Sequence, residues 1–399
     1  MIGTAVKQLR ITSNRHFYTL FYLITILTFF NSLIRSRVLK ENSNCGFDGE
    51  IYCSMARGEL GFEPYSRRTL LPTLTQLIST NPTFQHFYII NSIICVLIIF
   101  IIWKFMRKIN PENTYIFIAI LILNPSFFRM LFVYPVLTDF LALLLVIVLF
   151  YNYFIKDGFF WEMISYAAVA ALVFVRENIS LTFAISILIS NVMHKKKLGK
   201  SILFLTFTII LTYLSFQQES RPSPDQSIDT SIYGVIVYWL IENTKDFESI
   251  TRFIYLLILG IGITGLAGIM GIRTIFTQYR VIYIFALILF VSGAFLGGDN
   301  ARISSISGIL FSFIWLLRVK NQLSKKIILV LTLILWMPLY ASDGTNESYF
   351  YMYAQRVLGF EVTVGQVSRF LLLSLIFLGF VLIYKRTEPK PKILENENL

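Results

Sequence analysis

Residues 161–193 read WEMISYAAVAALVFVRENISLTFAISILISNVM, two apolar runs parted by Arg176-Glu177. As one helix rising about 1.5 Å per residue, this stretch would reach about 50 Å, well beyond the ~30 Å hydrocarbon core of a bilayer. Two short passes joined at a polar tip fit that thickness. The downstream charges decide between the two. With a hairpin, fourteen Lys and Arg of the later connections fall on one side and six on the other. A single pass inverts that ratio and breaks the rule that cytoplasmic loops carry the excess positive charge. The stretch therefore predicts a helical hairpin with Arg176 and Glu177 at its outer tip.

Working outward, apolar runs recur along the chain. Candidate spans are 17–34, 87–103, 114–130, 135–155, 161–175, 178–193, 201–217, 253–272, 281–297, 303–319, 326–341 and 369–384, twelve in all. The predicted fold class is all-α, a polytopic transmembrane helix bundle with both termini in the cytoplasm. Residues 1–386 form one integral membrane domain and 387–399 a polar, disordered cytoplasmic tail. Only 15% of residues are charged against 56% hydrophobic, far from the roughly 25% charge of soluble chains. The net charge of +12 sits in short clusters between apolar runs, so it serves orientation and does not point to nucleic acid. The first run follows Lys7, Arg10 and Arg15 and continues into Arg35-Ser36-Arg37 with no small-residue cleavage pattern, which reads as a retained first helix. Cys45 and Cys53 share one loop and pair if it faces an oxidising compartment; otherwise they are two free thiols. Cys95 falls in an apolar run and reads as core.

With this topology, the polar residues that have no orienting role collect on the outside. Asp48, Glu50, Arg67 and Arg68 lie in the first outside loop (35–86), and Asp139 early in its helix. Arg176 and Glu177 cap the hairpin, and Asp299 and Arg302 stand three apart where two helices meet. Each has a plain structural reading too: solvated carboxylates, interfacial anchors, local ion pairs. Ionisable groups in membrane segments cost about 2.5–3.5 kcal/mol each, so they usually face a cavity or a partner. Their common side predicts a polar cavity open to the outside. Arginine recognises phosphate through forked, charge-assisted hydrogen bonds and keeps its proton. A carboxylate in reach of an acceptor hydroxyl can take its proton. This combination suits a lipid with an anionic head and a sugar attached. No serine-nucleophile elbow, phosphate-binding glycine loop or dinucleotide fingerprint is present, and His16, His86 and His194 lack metal-ligand spacing.

The order of these motifs resembles the polytopic GT-C glycosyltransferases. The elements that carry the resemblance are Phe47-Asp48-Gly49-Glu50 with Tyr52, then Pro64-Tyr65-Ser66-Arg67-Arg68 and Leu70-Leu71-Pro72. Further on come Leu137-Thr138-Asp139, Val175-Arg176-Glu177 and Gly297-Gly298-Asp299-Asn300-Ala301-Arg302. The resemblance implies a GT-C transmembrane bundle with interfacial helices in the first outside loop, set in the cytoplasmic membrane with its active site outside. It implies inverting sugar transfer from a polyprenyl-phosphate-linked donor to a glycan, lipid or protein acceptor. Asp48 would be the catalytic base with Glu50 beside it, and Arg67, Arg68 and Arg302 would hold the donor phosphate. Tyr52, Asp139, Arg176, Glu177 and Asp299 would line the cavity. Glu50 stands where the family has a second Asp, which leaves open a divalent cation at Asp48 and Glu50. Two other readings compete: a polysaccharide polymerase or ligase, and a transporter or flippase of an anionic lipid or solute.

Overall fold

A computed structural model describes residues 16–27, 47–61, 65–124, 127, 138–156, 158–193, 198–219, 241, 261–271, 277–295, 300–319 and 321–340. All secondary structure among the described residues is helical. The helices are α1 (His16–Leu27), α2 (Phe47–Ala56), α3 (Leu70–Gln76), α4 (Phe84–Ile109), α5 (Thr114–Leu123) and α6 (Asp139–Ile155). They continue with α7 (Phe159–Val192), α8 (Leu198–Ser215), α9 (261–269), α10 (Arg280–Phe295), α11 (Asn300–Arg318) and α12 (Gln322–Tyr340). Three runs, α4, α7 and α8, are long and apolar enough to cross a membrane by length and composition. The predicted span 369–384 and the tail 387–399 lie outside the described residues.

The 34 residues of α7 do not form one rod. Glu162 pairs with Lys200 at 2.5 Å, and Asn191 Nδ2 donates to Ser201 Oγ at 2.5 Å. Lys200 and Ser201 are neighbours, yet a straight helix would hold Glu162 and Asn191 about 44 Å apart. Likewise Tyr166 and Phe183 both lie against Phe204, with ring centroids 5.1 and 6.4 Å away. The chain therefore doubles back between them. Arg176 is the residue with non-helical dihedrals, φ −158° and ψ 91°. The hairpin that Arg176-Glu177 predicted is present, each arm about 25 Å long by helical rise.

The predicted span 114–130 is interrupted at Asn124. Helix α5 stops at Leu123, and Asn124 turns extended with ψ 120°. Asn124 precedes Pro125, whose ring clashes with a helical residue in front of it. Ten residues reach about 15 Å, so α5 alone does not cross a bilayer.

The helices share a common pair of ends. At one end Phe105 meets Phe154 and Phe313, Asn110 and Asn113 each donate to the Leu316 carbonyl at 3.0 Å, and Lys325 donates to Asn113 at 2.8 Å. Asn152 of α6 donates to Ser165 of α7, which ties the Glu162 end of the hairpin to the same level. Asp139 and Arg176 mark the opposite end. Between the two lies an aromatic core in which Phe150, Phe183 and Phe285 meet pairwise at 5.2–5.8 Å. Helices α9 and α11 approach so closely that a Cβ on Gly268 would fall 1.9 Å from the Phe311 carbonyl oxygen, which only glycine allows.

Candidate functional site

The first loop is built from short helices. Helix α2 ends at Ala56, the chain turns through Gly58 at φ 88°, and a single 3₁₀ turn, Tyr65–Arg67, leads into α3. Helix α3 packs on both α2 and α7, which brings the loop against the hairpin tip.

Five predicted residues meet there. Asp139, in the first turn of α6, and Arg176, at the tip of α7, form an ion pair at 2.5 Å with side chains only 2% and 7% exposed. Beside it, Arg68 Nε lies 3.8 Å from Glu177 Oε2, with exposures of 12% and 14%. Arg68 Nη1 also donates to the buried Tyr52 hydroxyl at 3.4 Å, and the Tyr52 ring meets Tyr65 edge-on at 5.7 Å. Burial works against charge on the Arg68 guanidinium. The attraction of Tyr52, Glu177 and Asp139 outweighs it, so Arg68 is held above its ordinary value and stays a cation. Two arginines and two carboxylates thus alternate in a water-poor corner, close to charge balance.

This corner has spare hydrogen-bonding capacity. Among the described residues, Arg68 Nε, Glu177 Oε2 and Asn178 Oδ1 are buried without a hydrogen-bond partner. At 3.8 Å the Arg68–Glu177 pair is an electrostatic contact with no direct hydrogen bond. Buried polar groups normally find partners, so an oxygen-rich headgroup entering here would gain bonds that the protein leaves unmade.

The other predicted residues are placed differently. Arg67 turns away from Arg68 and stacks its guanidinium 3.5 Å over the ring of Phe216, just past α8. Glu50 is 60% exposed and pairs with Arg57 at 3.1 Å. Asp48 lies in the first turn of α2 and Arg302 in the first turn of α11, but their side chains are outside what the structure describes. Asp299 lies outside the described residues. Asp48 and Glu50 stand two apart in α2. Among the described residues no group of three His, Cys, Asp or Glu gathers. Asp48 and Tyr52 are instead four apart, and so occupy one face of α2. Cys53, on the same helix, is disulfide-bonded, while Cys95 is free and buried.

The reading from sequence missed three participants. Arg57 follows Glu50 by seven residues, two helical turns, a spacing that a helix over 47–56 makes visible. Phe216 and Asn178 carried no signal of their own. A cavity of about 290 Å³ opens between Met55, Gly61, Ser66, Thr69, Thr73 and Gln218, and none of the five clustered residues lines it.

The chain matches no protein-family model, no curated protein and no solved structure.

Proposed function

We propose that this protein is a membrane glycosyltransferase that moves a sugar from a polyprenyl-phosphate-linked donor on the extracytoplasmic face of the cytoplasmic membrane. The observation that carries this reading is the buried meeting of Tyr52, Arg68, Asp139, Arg176 and Glu177 at one end of the bundle. Orientation is part of the proposal. Lys104, Arg107, Lys108, Lys156 and Lys200 gather at the opposite end, which the positive-inside rule assigns to the cytoplasm. The full bundle is taken to have about twelve spans, as the sequence predicts.

Roles follow from geometry and chemistry. Arg68 is the donor-phosphate ligand: it is cationic, mostly shielded, and its nearest carboxylate stops short of a hydrogen bond. Positive charge fixed in a low-dielectric corner stabilises the phosphate as it leaves the anomeric carbon. Asp139 holds Arg176, and Glu177 and Tyr52 hold Arg68, so the cations are aimed before substrate arrives. Asp48 is the proposed base. It shares a face of α2 with Tyr52, and Tyr52 contacts the phosphate-binding Arg68. As the base takes the acceptor proton, the acceptor oxygen bonds to the anomeric carbon and the lipid phosphate departs with the bonding electrons. Charges collected at one end, away from the bundle's middle, favour this over a transporter, whose sites lie near the midplane.

The test uses purified protein, unglycosylated polyprenyl phosphate as the binding probe and a panel of polyprenyl-phosphate sugars for turnover. Arg68→Ala should weaken probe binding about 10- to 100-fold, the worth of a charged hydrogen-bond partner at roughly 1.5–3 kcal/mol. Asp48→Asn should abolish transfer and leave probe binding intact. Unchanged probe affinity in the Arg68 variant, or full transfer by the Asp48 variant, overturns the assignment.

A further inference from the structure

The outer face of α4 carries an apolar stripe that ends in two caged cations. Ile89, Ile93, Val96, Leu97 and Phe100 are all exposed, and their spacing keeps them on one face. The same face continues through Trp103, Lys104 and Arg107 at the end of the bundle opposite Arg176. Phe100 and Trp103 stack with centroids 6.3 Å apart and planes 22° from parallel. Lys104 Nζ sits 4.4 Å over Phe100, and Arg107 Cζ sits 5.1 Å over Trp103. Each cation is thus held by the ring four residues or one helical turn before it, and the stacked rings hold the two cations side by side.

Nothing described neutralises them. Elsewhere at this end Lys200 has Glu162 and Lys325 has Asn113. Among the described residues neither Lys104 nor Arg107 has an ion pair or a side-chain hydrogen bond. Like charges three apart on a helix repel, and Lys108 adds a third. Cation–ring contacts fix the side chains but occupy only one face of each cation, leaving N–H donors for an acceptor. An anion between them relieves the repulsion. Because the stripe leads straight from the cations along apolar surface, the anion that fits is one with acyl chains attached.

We propose that Phe100, Trp103, Lys104 and Arg107 form a binding site for an anionic phospholipid, its phosphodiester against Lys104 and Arg107 and its acyl chains along the Ile89–Phe100 stripe. This inference is independent of the proposed glycosyltransferase activity. The test is native mass spectrometry of the purified full chain in detergent, titrated with phosphatidylglycerol or with phosphatidylcholine of the same chains. A basic side chain at a membrane surface is worth about 1 kcal/mol toward anionic lipid, which is about fivefold per residue. Lys104→Gln with Arg107→Gln should therefore weaken phosphatidylglycerol binding about 30-fold and leave phosphatidylcholine unchanged. Lys104→Arg with Arg107→Lys keeps both charges and should retain the binding, which separates loss of charge from loss of fold. Equal binding of the two lipids by the native chain, or an unaltered phosphatidylglycerol affinity in the Gln variant, overturns the proposal. So does displacement of the lipid by soluble glycerol phosphate at the same concentration, since that marks a site for free anions.

Discussion

Replacing Arg176 alone should harm the protein more than replacing Arg176 and Asp139 together. The pair is 2.5 Å apart with 7% and 2% of its side chains exposed, so each charge is almost wholly removed from solvent. Arg176→Met leaves the Asp139 carboxylate buried beside an apolar chain. Stranding one member of a buried pair costs about 3–5 kcal/mol. Adding Asp139→Asn removes the stranded charge and leaves a neutral amide, whose unmet hydrogen bonds cost about 1–3 kcal/mol. The double variant should thus recover roughly 2 kcal/mol relative to Arg176→Met, and because Asp139→Asn alone strands Arg176 in the same way, its loss falls short of the two single losses added by several kcal/mol, well beyond the about 0.5 kcal/mol expected of independent sites. The assay is a double-variant cycle of unfolding in mixed micelles with rising denaturing detergent. Because the pair joins α6 to the hairpin tip, limited proteolysis near residue 176 should speed up in the single variant in parallel. If Arg176→Met loses less than about 1 kcal/mol, or the two changes simply add, the pair is not the buried clamp described here.

Two further outcomes can be checked on the same preparations. Cys53→Ser should lower stability by about 2–4 kcal/mol, while thiol reagents should reach the buried Cys95 of the native protein only after denaturation; labelling of Cys95 in the folded state contradicts its burial. Cysteines placed at exposed positions 217 and 159, at opposite ends of the bundle, should differ in intact cells. A membrane-impermeant reagent should modify 217 and spare 159, and the reverse pattern inverts the proposed orientation.

The disulfide at Cys53 supports that orientation without reference to charge. Disulfides persist in oxidising compartments, and α2 carries both Cys53 and the proposed base Asp48. The positive-inside rule uses Lys and Arg at the other end of the bundle, so the two arguments share no residue. The proposed orientation, with the buried Arg68 corner outside, draws on both.

What could be read from the residues, and what could not, divides by range. The hairpin was legible because two quantities were over-determined: helix length against bilayer thickness, and the balance of charge on every later loop. The stop of α5 at Asn124 was equally local, written in the proline that follows, but averaging hydropathy across 114–130 hid it. Arg67 and Arg68 show where such reasoning ends. Arg67 closes the 3₁₀ turn and Arg68 follows it, so the two leave at different angles: one stacks on Phe216 just past α8 and the other reaches Tyr52 and Glu177. Their identical side chains give no hint which is which. Glu50 meets the same limit: the Asp48-Gly49-Glu50 element reads as a carboxylate pair while it is drawn as a loop. Once it coils into α2, Glu50 turns to Arg57 and Tyr52 takes its place on the Asp48 face. By that helical register, exchanging Glu50 for Gln should leave the proposed transfer almost untouched, whereas Tyr52→Phe, which removes the hydroxyl that Arg68 holds, should weaken binding of the polyprenyl phosphate probe several-fold.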